Sequence, residues 1–250
     1  MRVGRYQFRP SLWPTLVTLV LFPALLGLGF WQVDRGHQKQ AQLQAFRERT
    51  HRAPVKLDPA ALDGDNLGGL RYRPVTVDGR YDSAHQFLLD NRVQNGRVGY
   101  EVYTPLRLAT GDAGVLVDRG FVPIAHSRRR LPALPAPAGP LRVRGLVNHP
   151  PRVYTLGDQT DTAPGWPKVL QRIDLKLQSR QLGYRLLPAV ILLSPQERGG
   201  FARQWHPFTG FGPQRNFGYA FQWFMLAAVL AVIYLKVNTT RMNETDEQQD

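Results

Sequence analysis

The sequence predicts an α+β membrane protein in which two transmembrane helices, one toward each end, flank an antiparallel β-rich extracytoplasmic domain. Three observations carry this prediction: an uncharged apolar run from Pro10 to Val33, a second from Asn216 to Leu235, and a series of short strand-like segments between them. The expected boundaries are a cytoplasmic tail at 1–11, a first span at 12–33, a β-rich domain at 34–215, a second span at 216–235 and a second tail at 236–250.

As a helix the first run would extend roughly 36 Å, against a hydrocarbon core of roughly 30 Å. Trp13 and Trp31 sit near its two ends, at the depth indoles favour, and Arg2, Arg5 and Arg9 precede it. A cleaved leader would have a shorter apolar region and a small-x-small site, whereas this run leads directly into FWQVDRGHQK, so a retained span is expected. Pro23 is tolerated in a membrane helix, where neighbours re-satisfy the freed carbonyl. The second run would extend roughly 30 Å, with Tyr219, Trp223 and Tyr234 toward its ends. Gly27 and Gly29, with Ala227 and Ala231, are either surfaces for close helix contact or plain filling of an apolar helix. Two spans place both tails on one side, and short tails carrying Arg2, Arg5, Arg9, Lys236 and Arg241 point to the cytoplasm.

Between the spans, the segments Arg71 to Asp82, His85 to Val93, Tyr100 to Leu108, Ala113 to Pro123, Pro140 to Val147 and Pro188 to Ser194 are β-branched or aromatic and bounded by turn residues. They predict an antiparallel sheet or small barrel. One helix should continue the first span through Ala41 to Arg52, and another should run from Asp174, a capping residue, to Leu182, before Gly183. The Pro-rich stretch Leu131 to Pro140 cannot pair as a strand and reads as a surface loop.

The net charge is +13. Residues 34–215 hold 27 Lys and Arg against 15 Asp and Glu. On an extracytoplasmic domain that excess excludes nucleic acid as the partner and suits anionic membrane lipid or an acidic face of another membrane protein. Ser127 to Arg130 is the sharpest basic cluster and reads as a solvated loop face. The absence of cysteine removes disulfides, thiolate zinc sites and covalent haem attachment. No catalytic motif, phosphate loop or calcium loop is present, and Leu62 to Gly69 reads as a turn. The six histidines show no metal-ligand spacing, so no metal site is expected, although His37 and His206 lie close in sequence to the ends of the spans.

Five segments then stand in a fixed order: LGFWQVDRGHQK (Leu28 to Lys39), LLDNRVQNGRVGYEVYTPL (Leu88 to Leu106), VLVDRGFVP (Val115 to Pro123), the pair VLQRID and LLPAVILL (from Val169 and Leu186), and NFGYAFQWFMLA (Asn216 to Ala227). Together they resemble the Surfeit-locus (Surf/Shy) cytochrome c oxidase assembly family over nearly the whole chain. That resemblance implies a non-enzymatic biogenesis factor of the bacterial inner membrane, its main domain in the periplasm, assisting haem a delivery to the catalytic subunit of a haem–copper oxidase. The implied partners are that subunit and haem a synthase. The alternative is a scaffold or accessory subunit of a respiratory complex that binds no haem. The implied haem region comprises Gly29, Trp31, His206, Asn216, Tyr219 and Trp223. Family members commonly carry histidine where this chain has Asn216, and asparagine is not an effective iron ligand. Either His206 or Tyr219 ligates instead, or haem is held weakly or not at all.

Overall fold

The computed structural model describes residues 2–3, 6–62, 67, 69–124, 128, 130–151, 165–208 and 210–241. The chain forms two compact units, one from 1–45 with 207–250 and the other from 46–206.

The first unit is an antiparallel pair of helices, α1 (Leu12–Thr50, its last turn in the second unit) and α3 (Pro213–Val237). Both are long and apolar enough to cross a membrane. Three short strands, β1 (Arg2–Val3), β2 (Tyr6–Phe8) and β11 (Thr239–Arg241), form an antiparallel sheet in the order β1-β2-β11. The segments flanking the two helices therefore meet at one end of the pair. Polar, Gly-poor flanks gave no alternation from which to expect this sheet. It is fastened by Asn238, 2 % exposed, whose Oδ1 accepts from the Ser11 backbone at 2.7 Å and its hydroxyl at 3.0 Å.

The second unit is built from β3 (Val55–Lys56), a 3-10 turn (Pro59–Leu62), β4 (Pro74–Tyr81), β5 (Phe87–Gln94), β6 (Arg97–Leu108), β7 (Gly114–Pro123), β8 (Pro140–Asn148), β9 (Lys168–Leu170), α2 (Leu175–Leu182) and β10 (Leu186–Leu193). The sheet order is β3-β4-β8-β10-β7-β6-β5-β9, and an additional β4–β6 pairing closes β4, β8, β10, β7 and β6 into a small barrel. The expectation of an antiparallel domain is corrected in one respect. β10 runs parallel to β7, as β3 does to β4 and β9 to β5. The β7–β10 connection is long enough to carry β8, β9 and α2, which is what a parallel pairing needs.

Period-two alternation sorts the side chains. Val75, Val77 and Tyr81 of β4, Val115 and Val117 of β7, Val143 and Val147 of β8, and Leu187, Ala189 and Ile191 of β10 fill the barrel. The intervening Leu116, Val190 and Leu192 face outward into a second cluster with Phe87, Leu89 and Tyr103, covered by Leu175 and Leu182 of α2. Both faces of β7 and β10 are buried, so β10 and the Val115, Leu116 and Val117 stretch of β7 read as continuous apolar runs. Helix α2 begins and ends as expected: Asp174 accepts from the backbone of Lys176 and Leu177 at 3.1 and 3.2 Å, and Gly183 takes φ 75°.

Two surface readings change. The Leu131–Gly139 stretch is no strand, but it is strapped down: Leu131 and Leu134 pack on Leu88, Tyr100 and Val102. Within the basic cluster, Arg128 pairs with the buried Asp90 and donates to Asn91 at 3.1 Å, so it is not simply solvated. Ser127 and Arg129, like Asp63–Asn66, lie outside the described residues.

Candidate functional site

The helical unit is joined along a seam of residues spaced three and four apart. On α1 these are Gly29, Gln32, Gly36 and Lys39; on α3 they are Asn216, Phe217, Ala220, Phe224 and Ala227. This spacing keeps one stripe of each helix facing the other. Gly29 and Gly36 are buried on α1, and Ala220 and Ala227 on α3. A methyl group added at Gly29 would lie 2.5 Å from the Phe224 ring, and one at Gly36 would lie 2.7 Å from the Phe217 ring. Each glycine is thus the socket for a phenylalanine of the other helix. Gly27, by contrast, has open space where a side chain would go, so only one glycine of the Gly27–Gly29 pair makes the close contact.

Polar groups lock the seam toward the α3 N-terminus. Asn216 Nδ2 donates to Gln32 Oε1 at 2.8 Å, and its Oδ1 accepts from Lys39 Nζ at 3.0 Å. Lys39 Nζ also donates to the Phe211 carbonyl at 3.1 Å. Both ends of the Asn216 amide are therefore spent on the opposite helix. At the far end of the seam Thr15 and Tyr234 share a hydroxyl–hydroxyl hydrogen bond of 3.0 Å. Such bonds across the pair add to the close packing of its small residues.

The six residues expected around a haem are distributed as follows. Gly29 lies in the seam against Phe224 and Asn216 in the polar lock. Trp31 is 58 % exposed on α1, Tyr219 accepts from Arg215 Nε at 3.2 Å, and Trp223 is half-buried on α3. His206 belongs to the other unit, where it is exposed. His37 packs its ring against Phe217 at 5.4 Å. His37 is exposed and is the imidazole of α1 that reaches a seam residue of α3, while the amide that stands in the expected histidine position is already bonded on both sides. No group of three His, Asp or Glu fit to hold a metal ion occurs among the described residues. Asn216, in the expected ligand position, does not fit an axial haem ligand.

The barrel contributes a second, buried polar site at the end of β7. Asp118 and Arg119 are adjacent, and adjacency suggests an ion pair fixing a turn. The structure corrects this, because neighbours in a strand point to opposite faces. Arg119 continues the inward series of Val115 and Val117 and is fully buried. Its Nε donates to the Gly199 carbonyl at 2.7 Å, its Nη1 to Gln86 Oε1 at 3.1 Å and Thr104 Oγ1 at 3.2 Å, and its Nη2 to the carbonyls of Pro135 and Gly199. The rings of Tyr81 and Phe201 lie 5.5 and 4.9 Å from its Cζ. Every acceptor is neutral, and no carboxylate pairs with Arg119 among the described residues. Burial pushes its guanidinium below the ordinary arginine value and lifts Tyr81 to about 12. One side chain thereby ties the Pro-rich strap and the 199–201 loop to β6 and β7. Gly120 follows with φ 102°, and a Cβ there would meet the Ala202 carbonyl at 2.6 Å, which explains a glycine after the arginine.

Asp118 faces the other way, beside Tyr103, and accepts from the Gly120 backbone at 3.0 Å. Burial, reinforced by the Glu101 charge, holds its carboxyl well above the usual carboxylate range, while Glu101 itself pairs with Arg92 at 3.0 Å. A raised folded-state value means that the folded chain keeps a proton the unfolded chain gives up. This site therefore costs nothing below about pH 4 and subtracts stability as pH rises from there toward the folded value, by up to ~1.4 kcal/mol per pH unit. Asp118→Asn should leave stability near pH 4 almost unchanged and flatten the loss at higher pH. Denaturant midpoints at pH 5 and pH 8 test this; equal slopes in parent and variant would show the carboxyl to be ionised.

The SURF1 family model matches residues 19–228. The chain belongs to the SURF1 family. Among curated SURF1 relatives, a SURF1-like protein of Monosiga brevicollis is 30 % identical over 133 residues, 49 % of this chain and 50 % of that protein. Surfeit locus protein 1 of Arabidopsis thaliana is 31 % identical over 124 residues, covering 46 % of this chain and 35 % of that one, and its Mus musculus counterpart is 31 % identical over 120 residues, covering 42 % and 38 %. The matched stretches thus span half or less of these relatives' length. The family match takes in the seam from Gly29 to Lys39 and from Asn216 to Ala227, and the Arg119 site. Of the residues that build them, Gln32, Gly36, Lys39, Phe217 and Phe224 escaped the sequence reading as site residues. The three-four spacing from Gly29 to Lys39 was the signal that could have found the first three.

Proposed function

We propose that this SURF1-family protein is a non-enzymatic assembly factor for a haem–copper cytochrome c oxidase, acting as a membrane scaffold and not through an iron ligand of its own. The observation that carries the scaffold reading is the double engagement of Asn216 by Gln32 and Lys39, which replaces a potential ligand with an interhelical lock. On this reading the two helices lie in a bacterial inner membrane with the barrel in the periplasm. The catalytic subunit and haem a synthase are the partners, and the basic barrel surface meets an acidic face of one of them. The factor would bring haem a delivery and subunit folding together without holding the porphyrin itself.

The test is the reduced-minus-oxidised spectrum of membranes from a strain lacking the chain. The haem a signal should fall selectively and return with the intact gene, while the purified protein shows no stoichiometric Soret band. An unchanged spectrum in a strain that expresses the oxidase and has no second copy would overturn the assembly role. A stoichiometric Soret band lost on replacing His206 or Tyr219 would overturn the scaffold reading, and one-to-one copurification with the oxidase would make the chain an accessory subunit.

A further inference from the structure

Two cations of the helical unit stand without a counter-charge among the described residues at one end of the helix pair. Lys39 of α1 donates only to neutral oxygens, those of Phe211 and Asn216. Arg215 of α3 lies 3.5 Å over the Phe211 ring and gives its Nε to the Tyr219 hydroxyl at 3.2 Å, leaving its outer nitrogens without an acceptor among the described residues. Both cations thus converge on one residue, Phe211. The one carboxylate among the described residues of this unit, Asp34, is engaged by Gln38 at 2.7 Å and pairs with neither.

Their depth is set by the sequence. Arg215 immediately precedes the uncharged run that begins at Asn216, and Lys39 follows the run ending at Val33 by roughly 9 Å of helix. In a bilayer both would sit in the headgroup layer of the same leaflet. Just inside that level the pair presents Phe30, Trp31 and Phe221, at 65, 58 and 66 % exposure. A free inorganic anion would need the cations and not the aromatic bed beneath them; a lipid uses both.

We propose that Lys39 and Arg215 form a binding site for the phosphodiester headgroup of an anionic phospholipid, whose acyl chains lie along the exposed aromatic face of the helices. This does not depend on the oxidase reading, since it concerns only how the helix pair meets the bilayer. It predicts that the protein selects its boundary lipid, with a structural anion bridging two otherwise repelling cations.

The experiment uses the full chain purified into micelles of equimolar phosphatidylglycerol and phosphatidylcholine, with retained lipid measured by native mass spectrometry. The parent should be enriched in phosphatidylglycerol. Arg215→Gln should lower the enrichment about fivefold and the Lys39→Gln, Arg215→Gln pair about twenty-five-fold, the ratios equivalent to ~1 kcal/mol per basic residue at an anionic surface. Arg215→Lys should restore most of it, and Arg241→Gln, beyond the other end of α3, should change nothing. Equal enrichment in the parent and Arg215→Gln would overturn the proposal. So would displacement of phosphatidylglycerol by millimolar inorganic phosphate but not by chloride of the same ionic strength, which would make the site one for free anions.

Discussion

Replacing Arg119 by alanine should destabilise the barrel by about 4 kcal/mol or more, a large part of the stability of an ordinary domain. The expectation rests on what the substitution leaves behind. Gln86 Oε1, Thr104 Oγ1 and the Gly199 and Pro135 carbonyls would lose the donor that approaches them inside the fold, and each unsatisfied buried group costs about 1–3 kcal/mol. Gln86 would partly compensate, because Thr104 already donates to it at 2.8 Å and its own amide reaches the Leu134 carbonyl at 2.9 Å. Arg119→Lys should recover little, since one compact ammonium cannot reproduce a planar fork that meets acceptors on three sides. Thermal unfolding should show the loss directly, and limited proteolysis should cut first in the 131–139 strap, which the guanidinium anchors. An alanine variant that unfolds within a degree or two of the parent, with its strap still resistant, would show that the network is dispensable.

Gly29→Leu should separate the two helices, an effect of about 2–3 kcal/mol if the overpacking is relieved only by splaying. The Phe224 ring occupies the space the new side chain needs. Because the chain has no cysteine, proximity can be read by placing Gln32→Cys and Asn216→Cys and bridging them with a short bismaleimide. Bridging should be efficient in the double-cysteine chain, lost when Gly29→Leu is added, and kept with Gly27→Leu, where an added Cβ meets nothing within 4 Å. Combining Gly29→Leu with Phe224→Ala should restore it. Persistent bridging in Gly29→Leu alone would mean that the glycine is merely tolerated in the seam.

Much of this architecture was legible because local chemistry and tertiary context agree. Six strand segments and α2 were readable from alternation, turn residues and the Asp174 and Gly183 caps, since each buries an apolar face the pattern already displays. The strands that escaped, β3, β9 and the β1-β2-β11 sheet, are two or three residues long and are held by their neighbours, so no periodicity could mark them. The parallel pairing of β7 with β10 escaped too, because doubly buried strands look alike whichever way they run. The site was legible in position but not in role. Asn216 stood out for the histidine it replaces, yet only the fold shows its amide bound across the seam. Arg119 was visible beside Asp118, and sequence adjacency suggested the one partner that strand geometry forbids.

The Asn238 fastening has a consequence for biosynthesis. Its partner Ser11 is 227 residues away along the chain, so the first helix leaves the ribosome long before the residue that will pin it exists. Closing so large a loop is entropically costly and slow to find by diffusion, but if both helices lie in a bilayer, as proposed, the search is confined to a plane. The clasp therefore can form only last, after the second helix is in place, and marks a chain whose insertion is finished.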